Sequence, residues 1–348
     1  MADHAARTLT QRDLIRALLH RQMLLERTRG SLPAALERMA GLQAQYAPSM
    51  YVGLWSRVEG LRRADLTTAL ERRTVVQGTL LRSTIHLVSE RDWWPLAAAI
   101  REERRARWRR AVPGAPSEET MAAAAERLRG ALATGSLRRA EVETLLGTPV
   151  ARGVGLWADL VRAPPSGTWE RRRADVYAAA ADWLGPPPEI AVADAVDHLV
   201  RRYLGGFRPA TRREVADWAG LPIGVIAPAL ERVSPRRFRA EDGDELFDLG
   251  RAALPPPDTP APVRFLPTWD ATLLVHARRA QILPEEHRPR IFNTKMPQSV
   301  GTFLVDGAVA GTWRHDGGRV DVEPFARLGR VDTREVREEA ARLHAFCV

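Results

Sequence analysis

One short pattern occurs three times along the 348-residue chain and constrains its fold more than any other feature. Each copy has a small capping region, two arginines, an acid and then apolar residues at helical spacing. The copies lie roughly 75 residues apart, a regular period that indicates repeated structural units. They are LRRADLTTALE (61–71), LRRAEVETLLG (137–147) and TRREVADWAG (211–220). The pattern therefore predicts the same helical unit three times in tandem.

Residues that favour a β-hairpin follow each helical segment. TVVQGTLLRSTIHLV follows the first copy, and RFRAEDGDELFDLG, with Asp242-Gly243 at its turn, follows the third. After the second copy the strands fall within GVGLWADLVRAPPSGTWERRRADVY, with Pro164-Pro165-Ser166-Gly167 as the turn. A helical unit closed by a hairpin is a winged helix. We therefore predict three tandem winged-helix units, at residues 1–110, 111–185 and 186–254.

The sequence changes character after Leu254. A proline-rich linker that begins Leu254-Pro255-Pro256-Pro257 precedes segments that alternate or are rich in β-forming residues: VRFLPTWDATLLV, PRIFNT, VGTFLVDGAVAGTWRH and RVDVEPF. Asp306-Gly307 fits a hairpin turn, and TREVREEAARLHAF fits a charged amphipathic helix at the end. We predict a β domain at residues 255–348 and an α+β fold class for the whole chain.

Arginine gives the chain a strong positive charge. The formal net charge is +9 and the sequence pI is near 10.8, yet Lys295 is the only lysine. The planar guanidinium suits phosphate, so a polyanion such as nucleic acid is a natural partner. A GC-rich genome would also convert lysines to arginines without functional pressure, so composition alone leaves both explanations open.

Several classes of protein are disfavoured by what the sequence lacks. No stretch approaches the roughly 20 apolar residues of a membrane helix, and the charged N-terminus is unlike a signal peptide. A cytoplasmic, nucleoid-associated location is therefore expected. The single cysteine, Cys347, excludes an intrachain disulfide and a thiolate metal cluster. The eight histidines form no HxxxH or HExxH array, so we expect no metal site and no cofactor.

Gln43-Ala44-Gln45 is the tripeptide with the most chemical information. A glutamine offers a carbonyl acceptor and an amide donor. A spacing of two residues does not place both side chains on one helix face, so they converge only if the helix from Pro33 ends near Gln43 and the chain extends there. Pro48 favours that extension. In the alternative interpretation, both glutamines merely solvate a helix end.

Longer segments around this tripeptide resemble a known family. LHRQMLLERTRGSLPAALERMAGLQAQYAPSMYVGLWSRVEG, VVQGTLLRSTIHLVSERDWWPL, FLPTWDATLLVHARRAQILPEEHRPRIF and FLVDGAVAGTWR are similar to winged-helix DNA glycosylases of the AlkZ type. The resemblance covers essentially the whole chain and implies three winged helices and a C-terminal β-barrel arranged around double-stranded DNA. It also implies excision of N7-alkylated purines and, in some members, unhooking of interstrand crosslinks. Gln43-Ala44-Gln45 matches the family's catalytic signature of glutamine, aliphatic residue, glutamine.

The chemistry of such a lesion suits neutral amides. Alkylation at N7 makes the purine cationic, so its bond to the sugar is already weak and the base leaves in neutral form. Little acid catalysis is needed, and the enzyme must mainly hold a water molecule beneath the anomeric carbon. We therefore expect Gln43 and Gln45 to be catalytic in a monofunctional glycosylase. A Schiff-base mechanism would have only Lys295 and the N-terminal amine available as nucleophiles.

Candidates for DNA contact lie in arginine clusters and at one hairpin tip. They are Arg171, Arg172, Arg173, Arg236, Arg237, Arg239, Lys295 and Met296. The first six would neutralise phosphates. Lys295 and Met296 follow PRIFNT, where they would either probe a DNA groove or form an ordinary surface turn. We expect His86, His276 and Trp269-Asp270 to have structural roles.

A non-enzymatic interpretation accounts equally well for the charge and the repeats. Winged helices more often read DNA than modify it, so a DNA-binding protein or transcriptional regulator is the alternative. The fusion of three units in one chain favours a monomer and argues against a simple dimeric regulator. A base tethered to both strands cannot swing fully into a pocket, so a crosslink substrate would require an open cleft.

Overall fold

The computed structural model describes residues 7–274, 279–292 and 300–348. Its helices are α1 (Gln11–Arg21), α2 (Leu32–Met39), α3 (Ala47–Trp55), α4 (Arg63–Glu71), α5 (Glu90–Ala111), α6 (Glu118–Leu132), α7 (Arg139–Leu146), α8 (Thr148–Ala151), α9 (Gly155–Ala158), α10 (Ala180–Leu184), α11 (Val192–Gly206), α12 (Arg212–Ala219), α13 (Ile223–Arg232), α14 (Arg288–Ile291) and α15 (Arg330–Cys347). Its strands are β1 (Thr8–Leu9), β2 (Leu42–Gln43), β3 (Val75–Thr79), β4 (Ile85–Ser89), β5 (Leu137–Arg138), β6 (Leu160–Arg162), β7 (Val176–Ala179), β8 (Arg236–Ala240), β9 (Glu245–Asp248), β10 (Arg264–Leu266), β11 (Gly301–Val305), β12 (Ala308–His315) and β13 (Val320–Pro324). Helices and strands are thus mixed along the chain, as the sequence predicts.

The three repeated segments form the helices α4, α7 and α12. In each copy the acid at the third helical position reaches back to the backbone N–H just before the helix. Asp65 accepts that bond at 2.8 Å, Glu141 at 2.7 Å and Glu214 at 2.7 Å. A carboxylate in this position satisfies a backbone donor that the helix leaves unpaired. The acid of the repeat therefore has a structural role in all three copies.

An antiparallel strand pair follows each repeated helix, and the first two pairs belong to one sheet. Its strand order is β2-β4-β3-β6-β7-β5, and β3 meets β6 where Gly78 pairs with Val161. Gly78 must lack a side chain there, because a Cβ atom would lie 2.3 Å from the Trp93 ring. The Pro164–Gly167 segment lies in the long connection between β6 and β7.

The third strand pair forms a separate sheet with the start of the described chain. β8 and β9 pair in antiparallel fashion on either side of the Asp242-Gly243 turn, as predicted. β1 adds to β8 in parallel, with Thr8 opposite Arg239. Residues near the N-terminus therefore complete the sheet of the third repeat, a long-range pairing with no signal in the local sequence.

The C-terminal segment forms an open sheet. β10 to β13 are adjacent in chain order, and no sheet closes on itself among the described residues, so the implied barrel is not seen. The Asp306-Gly307 hairpin and the final helix are confirmed. Two strand predictions are wrong. Only Arg264–Leu266 of VRFLPTWDATLLV is a strand, and the described part of PRIFNT begins as helix α14, because the fixed φ of Pro289 suits a first helical turn.

Buried ion pairs join the C-terminal segment to residues in the first 60 positions of the chain. The Arg57 guanidinium lies 2.9 Å from the Asp270 carboxylate, and both side chains are fully buried. Arg16, also buried, donates to the backbone and side-chain oxygens of Asp306. The structural role expected for Asp270 is therefore confirmed. These contacts join the C-terminal segment to α1 and to the residues just after α3.

Candidate active site

The glutamine tripeptide lies in an extended segment between two helices. Helix α2 ends at Met39, and Ala40 takes a left-handed backbone conformation with φ of 63°. The chain then extends along β4, where Gln43 pairs with His86. The next helix begins only at Ala47. The geometry required for convergence of the two glutamines, a helix end followed by an extended chain, is therefore present.

Extended backbone places the two glutamines on one side and the alanine on the other. Ala44 is 1% exposed, whereas Gln45 is exposed and Gln43 is half-buried. The Ala44 N–H donates to the Ile85 carbonyl at 2.7 Å, which continues the pairing with β4. Neither glutamine belongs to helix α2, which ends at Met39, and Gln45 directly precedes Tyr46, the N-cap residue of α3.

A donor within the protein fixes each carboxamide. Arg82 Nη2 donates to Gln43 Oε1 at 3.3 Å, and the Ile85 backbone N–H donates to Gln45 Oε1 at 2.8 Å. A guanidinium and a backbone N–H can only donate, so both carbonyl oxygens must face them. Each Oε1 keeps one lone pair, and each Nε2 keeps its two N–H donors. Each carboxamide can thus both accept from and donate to a bound water.

Arg82 is a site residue that the sequence did not reveal. It lies in the turn between β3 and β4, and its other terminal nitrogen donates to the Trp218 carbonyl in α12. Burial lowers the pKa of Arg82 to about 10, so the guanidinium still carries its charge at neutral pH. Its acceptor in α12 is a backbone atom, which leaves no signature in the sequence.

His86 faces Gln43 but is not an acid at neutral pH. Its side chain is buried in β4, and Nδ1 lies 3.0 Å from the Thr84 carbonyl. Burial, with a smaller contribution from the nearby Arg82 charge, lowers the pKa of His86 to about 3. The imidazole is therefore neutral and structural, as the sequence suggested.

A third glutamine supports the tripeptide from beneath. Gln77 of β3 is 1% exposed, and its Nε2 lies 3.5 Å from the Ala44 carbonyl and 3.8 Å from Met50 Sδ. It contacts the buried side of the segment, opposite to Gln43 and Gln45. Gln77 was not singled out from the sequence, because its role depends on pairing between strands that are distant along the chain.

One predicted arginine cluster lies beside the glutamines. Arg171, Arg172 and Arg173 are exposed in the connection between β6 and β7. Arg172 donates to the hydroxyl of Tyr46, the residue that follows Gln45, at 3.0 Å. Arg173 lies 2.9 Å from Asp175. The structure therefore connects this cluster to the glutamine segment through Tyr46.

An open cleft begins at Tyr46. Its volume is about 440 Å³, and it lies between the start of α3, the β6–β7 connection and the C-terminal sheet. Its lining includes the rings of Tyr46, Trp169 and Trp313 and the polar side chains of Arg172, Arg314 and His315. Aromatic rings and arginines provide surfaces that stack on planar groups and bind phosphate.

The second arginine cluster lies in β8 and is largely engaged in ion pairs. Arg236 donates to Asp248 at 2.9 Å and to the Ala252 carbonyl at 2.7 Å. Arg237 pairs with both Glu231 and Glu245. Arg239 is exposed, with a 3.4 Å contact to the Gly243 carbonyl. Lys295, Met296 and His276 lie outside the described residues.

Two further properties concern ligands and membranes. In residues 7–274, 279–292 and 300–348, no group of three or more His, Cys, Asp or Glu side chains is arranged to hold a metal ion. No helix in the same ranges has the length and apolar character needed to span a membrane.

Comparison with known proteins identifies the family to which the chain belongs. The model of the AlkZ-like DNA glycosylase family matches residues 36–346, which include the glutamine tripeptide. The chain therefore belongs to the AlkZ-like DNA glycosylase family. Among solved structures, the Streptomyces sahachiroi DNA glycosylase AlkZ is similar, with a TM-score of 0.82, 19% sequence identity and coverage of 98% of both chains. At this identity the likeness shows the fold. No curated protein sequence matches the chain.

Proposed function

We propose that this protein is a monofunctional DNA glycosylase that hydrolyses the N-glycosidic bond of N7-alkylated purines in double-stranded DNA. The observation that carries the proposal is the geometry of Gln43 and Gln45. Both lie on one side of an extended segment, and a donor bound to the carbonyl oxygen fixes each carboxamide. Such a pair positions water without supplying a strong acid or base.

In the proposed reaction, water attacks C1′ of the sugar as the bond from C1′ to the purine nitrogen breaks. The electron pair of that bond goes to the purine and neutralises its positive charge. The remaining lone pairs on Oε1 of Gln43 and Gln45 hold the water by accepting hydrogen bonds from its O–H groups. The water loses a proton to solvent after the attack. The products are a free alkylpurine and an intact strand with an abasic sugar.

The neighbouring groups restrict this chemistry to labile lesions. His86 lies opposite Gln43, but burial keeps it neutral and its Nδ1 contacts a backbone carbonyl. Arg82 remains a cation. Neither group would protonate an uncharged leaving base at neutral pH, whereas a cationic purine leaves without protonation.

The proposal extends to how DNA is held. The three helix-and-hairpin units would act as winged helices, with limits near residues 1–110, 111–185 and 186–254, and residues 255–348 would complete the surface around the duplex. The exposed Arg171, Arg172 and Arg173 would contact phosphates beside the lesion. The open cleft at Tyr46 would accept bulky adducts and leave room for interstrand crosslinks. The cellular role would be DNA repair or self-resistance to a genotoxin.

One experiment tests the activity directly. The purified protein is incubated with a duplex that carries a single 7-methylguanine, and free base is measured by mass spectrometry. Release of 7-methylguanine is expected from the wild type and is expected to be lost in the Gln43→Ala, Gln45→Ala double variant. Tight binding of the duplex without release of base would instead support the alternative, a non-enzymatic DNA-binding protein.

A further inference from the structure

The turn that joins β3 to β4 brings Arg82 against the end of helix α12. Arg82 has a left-handed backbone conformation, with φ of 53° and ψ of 21°. Gly220, just past the end of α12, also has a positive φ, of 71°. A Cβ atom at Gly220 would lie only 3.2 Å from Arg82 Cγ and 3.3 Å from its backbone nitrogen. The first and third repeats therefore meet closely at this turn.

Two arginines of the first repeat bind the end of α12. Arg82 donates to the Trp218 carbonyl, and Arg107 of α5 donates to the Gly220 carbonyl at 2.9 Å. Carbonyls at a helix C-terminus have no partner within the helix and carry partial negative charge, so cations stabilise them. The two contacts differ in one respect. Arg82 also donates to Gln43, whereas the hydrogen bond of Arg107 is to α12 alone.

From these contacts we infer that Arg82 is a positioning residue for the glycosylase reaction. Its guanidinium fixes the Gln43 carboxamide through one nitrogen while the other nitrogen is anchored on α12. The inference rests on the proposed function, because it assigns the means by which one of its two amides is oriented. The guanidinium that orients Gln43 is thus itself held by the Trp218 carbonyl of α12.

The chemistry of the contact supports this role. A glutamine side chain rotates about several bonds, and its amide can present either oxygen or nitrogen to the substrate. A guanidinium has only donors, so it selects the oxygen and turns Nε2 away. The planar fork of arginine reaches both acceptors at once, which a single ammonium group cannot do with the same geometry. Polarisation by the charge also makes the Nε2 hydrogens stronger donors.

The experiment compares Arg82→Ala with Arg107→Ala as the matched control. Both variants remove an arginine bond to the end of α12, but only the first removes the bond to Gln43. Single-turnover excision of 7-methylguanine is measured at saturating enzyme, together with duplex Kd and Tm. Arg82→Ala is expected to lower the excision rate by about 10-fold or more, in the range of a lost positioning contact. Arg107→Ala should change it by less than about 2-fold, since its bond does not reach the amide.

A double-variant cycle separates positioning from general support of the fold. If Arg82 acts through Gln43, the rate of Arg82→Ala, Gln43→Ala should equal that of Gln43→Ala alone. If the double variant instead loses the product of the two single rate losses, the inference is overturned. Equal losses of excision rate in Arg82→Ala and Arg107→Ala would also overturn it. Low concentrations of guanidinium ion should partly restore Arg82→Ala and leave Gln43→Ala unchanged.

Arg82→Lys provides a second variant if Arg82→Ala has a much lower Tm than the wild type. It keeps the charge but loses the fork, so its rate should fall between those of wild type and Gln43→Ala; a rate equal to wild type would overturn the role of the fork. If the wild type excises 7-methylguanine and Arg82→Ala does so equally fast, only this inference fails. If the wild type releases no base, the proposed function fails, and the inference fails with it.

Discussion

Gln43 and His86 lie directly opposite each other across β2 and β4, yet their environments differ sharply. Gln43 is half-buried and contacts Arg82, whereas His86 is only 3% exposed. The titratable partner is thus sealed inside the sheet, and the neutral amide is the group that reaches the surface. This separation matches a reaction that needs an oriented water more than it needs a proton donor.

The burial of His86 predicts how stability depends on pH. Its pKa is about 3 in the folded protein and 6.5 ordinarily, so below pH 6.5 the unfolded chain binds a proton that the folded chain does not. Stability should fall by about 1.4 kcal/mol per pH unit from this group between pH 6.5 and 3. The measurement is urea unfolding of wild type and His86→Gln at pH 7.5 and 5. The stability difference between the two should shift by about 2 kcal/mol against wild type at the lower pH. An equal change in unfolding free energy between the two pH values for wild type and His86→Gln would show that His86 can bind a proton in the folded protein.

The two glutamines should each be required for excision and not for binding. Gln43→Ala or Gln45→Ala is expected to lower the single-turnover rate by about 10²-fold or more, a typical loss for a preorganised polar contact. Duplex Kd should change little. Gln11→Ala, at the start of α1, is a control for loss of an exposed amide elsewhere. Losses of binding that parallel the losses of excision would make the segment structural.

Features that depend on residues close together in the chain were predictable from the sequence. The repeated acids were visible, and they cap α4, α7 and α12 because a carboxylate three residues into a helix meets the free backbone N–H. The break between the two helices was also predictable from Pro48, which lies in the first turn of α3 and marks the start of that helix. Both features depend on neighbours within a few residues.

Contacts between distant segments were not predictable in the same way. Gly78 joins the first two repeats into one sheet through a single pairing with Val161, which no alternation of residues encodes. Arg82 reaches a backbone carbonyl 136 residues away, and any residue supplies a carbonyl. The arginines of β8 looked like phosphate ligands, but the sequence could not show that Arg236 and Arg237 already have carboxylate partners.

Those partners lead to a contrast in salt dependence. If about five to eight arginines neutralise phosphates, log K for undamaged duplex should fall with log salt at a slope near −5 to −7. Replacing Arg171, Arg172 and Arg173 with alanine should flatten the slope by about 2 to 3, because these side chains are exposed, including that of Arg173, which pairs with Asp175 at the surface. Replacing Arg236 and Arg237 should affect the slope less and the melting temperature more. A slope near −1 that neither variant changes would attribute the arginine content to genome composition.

Strand cleavage should be absent. Lys295 is the only lysine, and the proposed catalytic groups are amides, which form no Schiff base. The product strand should remain intact until it is heated in alkali, and borohydride should not trap the protein on DNA. Trapping that disappears in Lys295→Ala would establish a lyase mechanism. Trapping that persists in that variant would point to the N-terminal amine.

Excision should follow the intrinsic lability of the lesion. Gln43 and Gln45 can orient water but cannot protonate an uncharged base, so N7-alkylguanine and N3-alkyladenine should be released quickly, and uracil, hypoxanthine and 8-oxoguanine not at all. The measurement is a panel of duplexes under single-turnover conditions, with each rate divided by the spontaneous depurination rate of that lesion. Because the cleft at Tyr46 is open, the size of the alkyl group should matter less than the charge of the base. Rapid release of uracil would require a true acid or base elsewhere in the chain, and the amide mechanism would then be wrong.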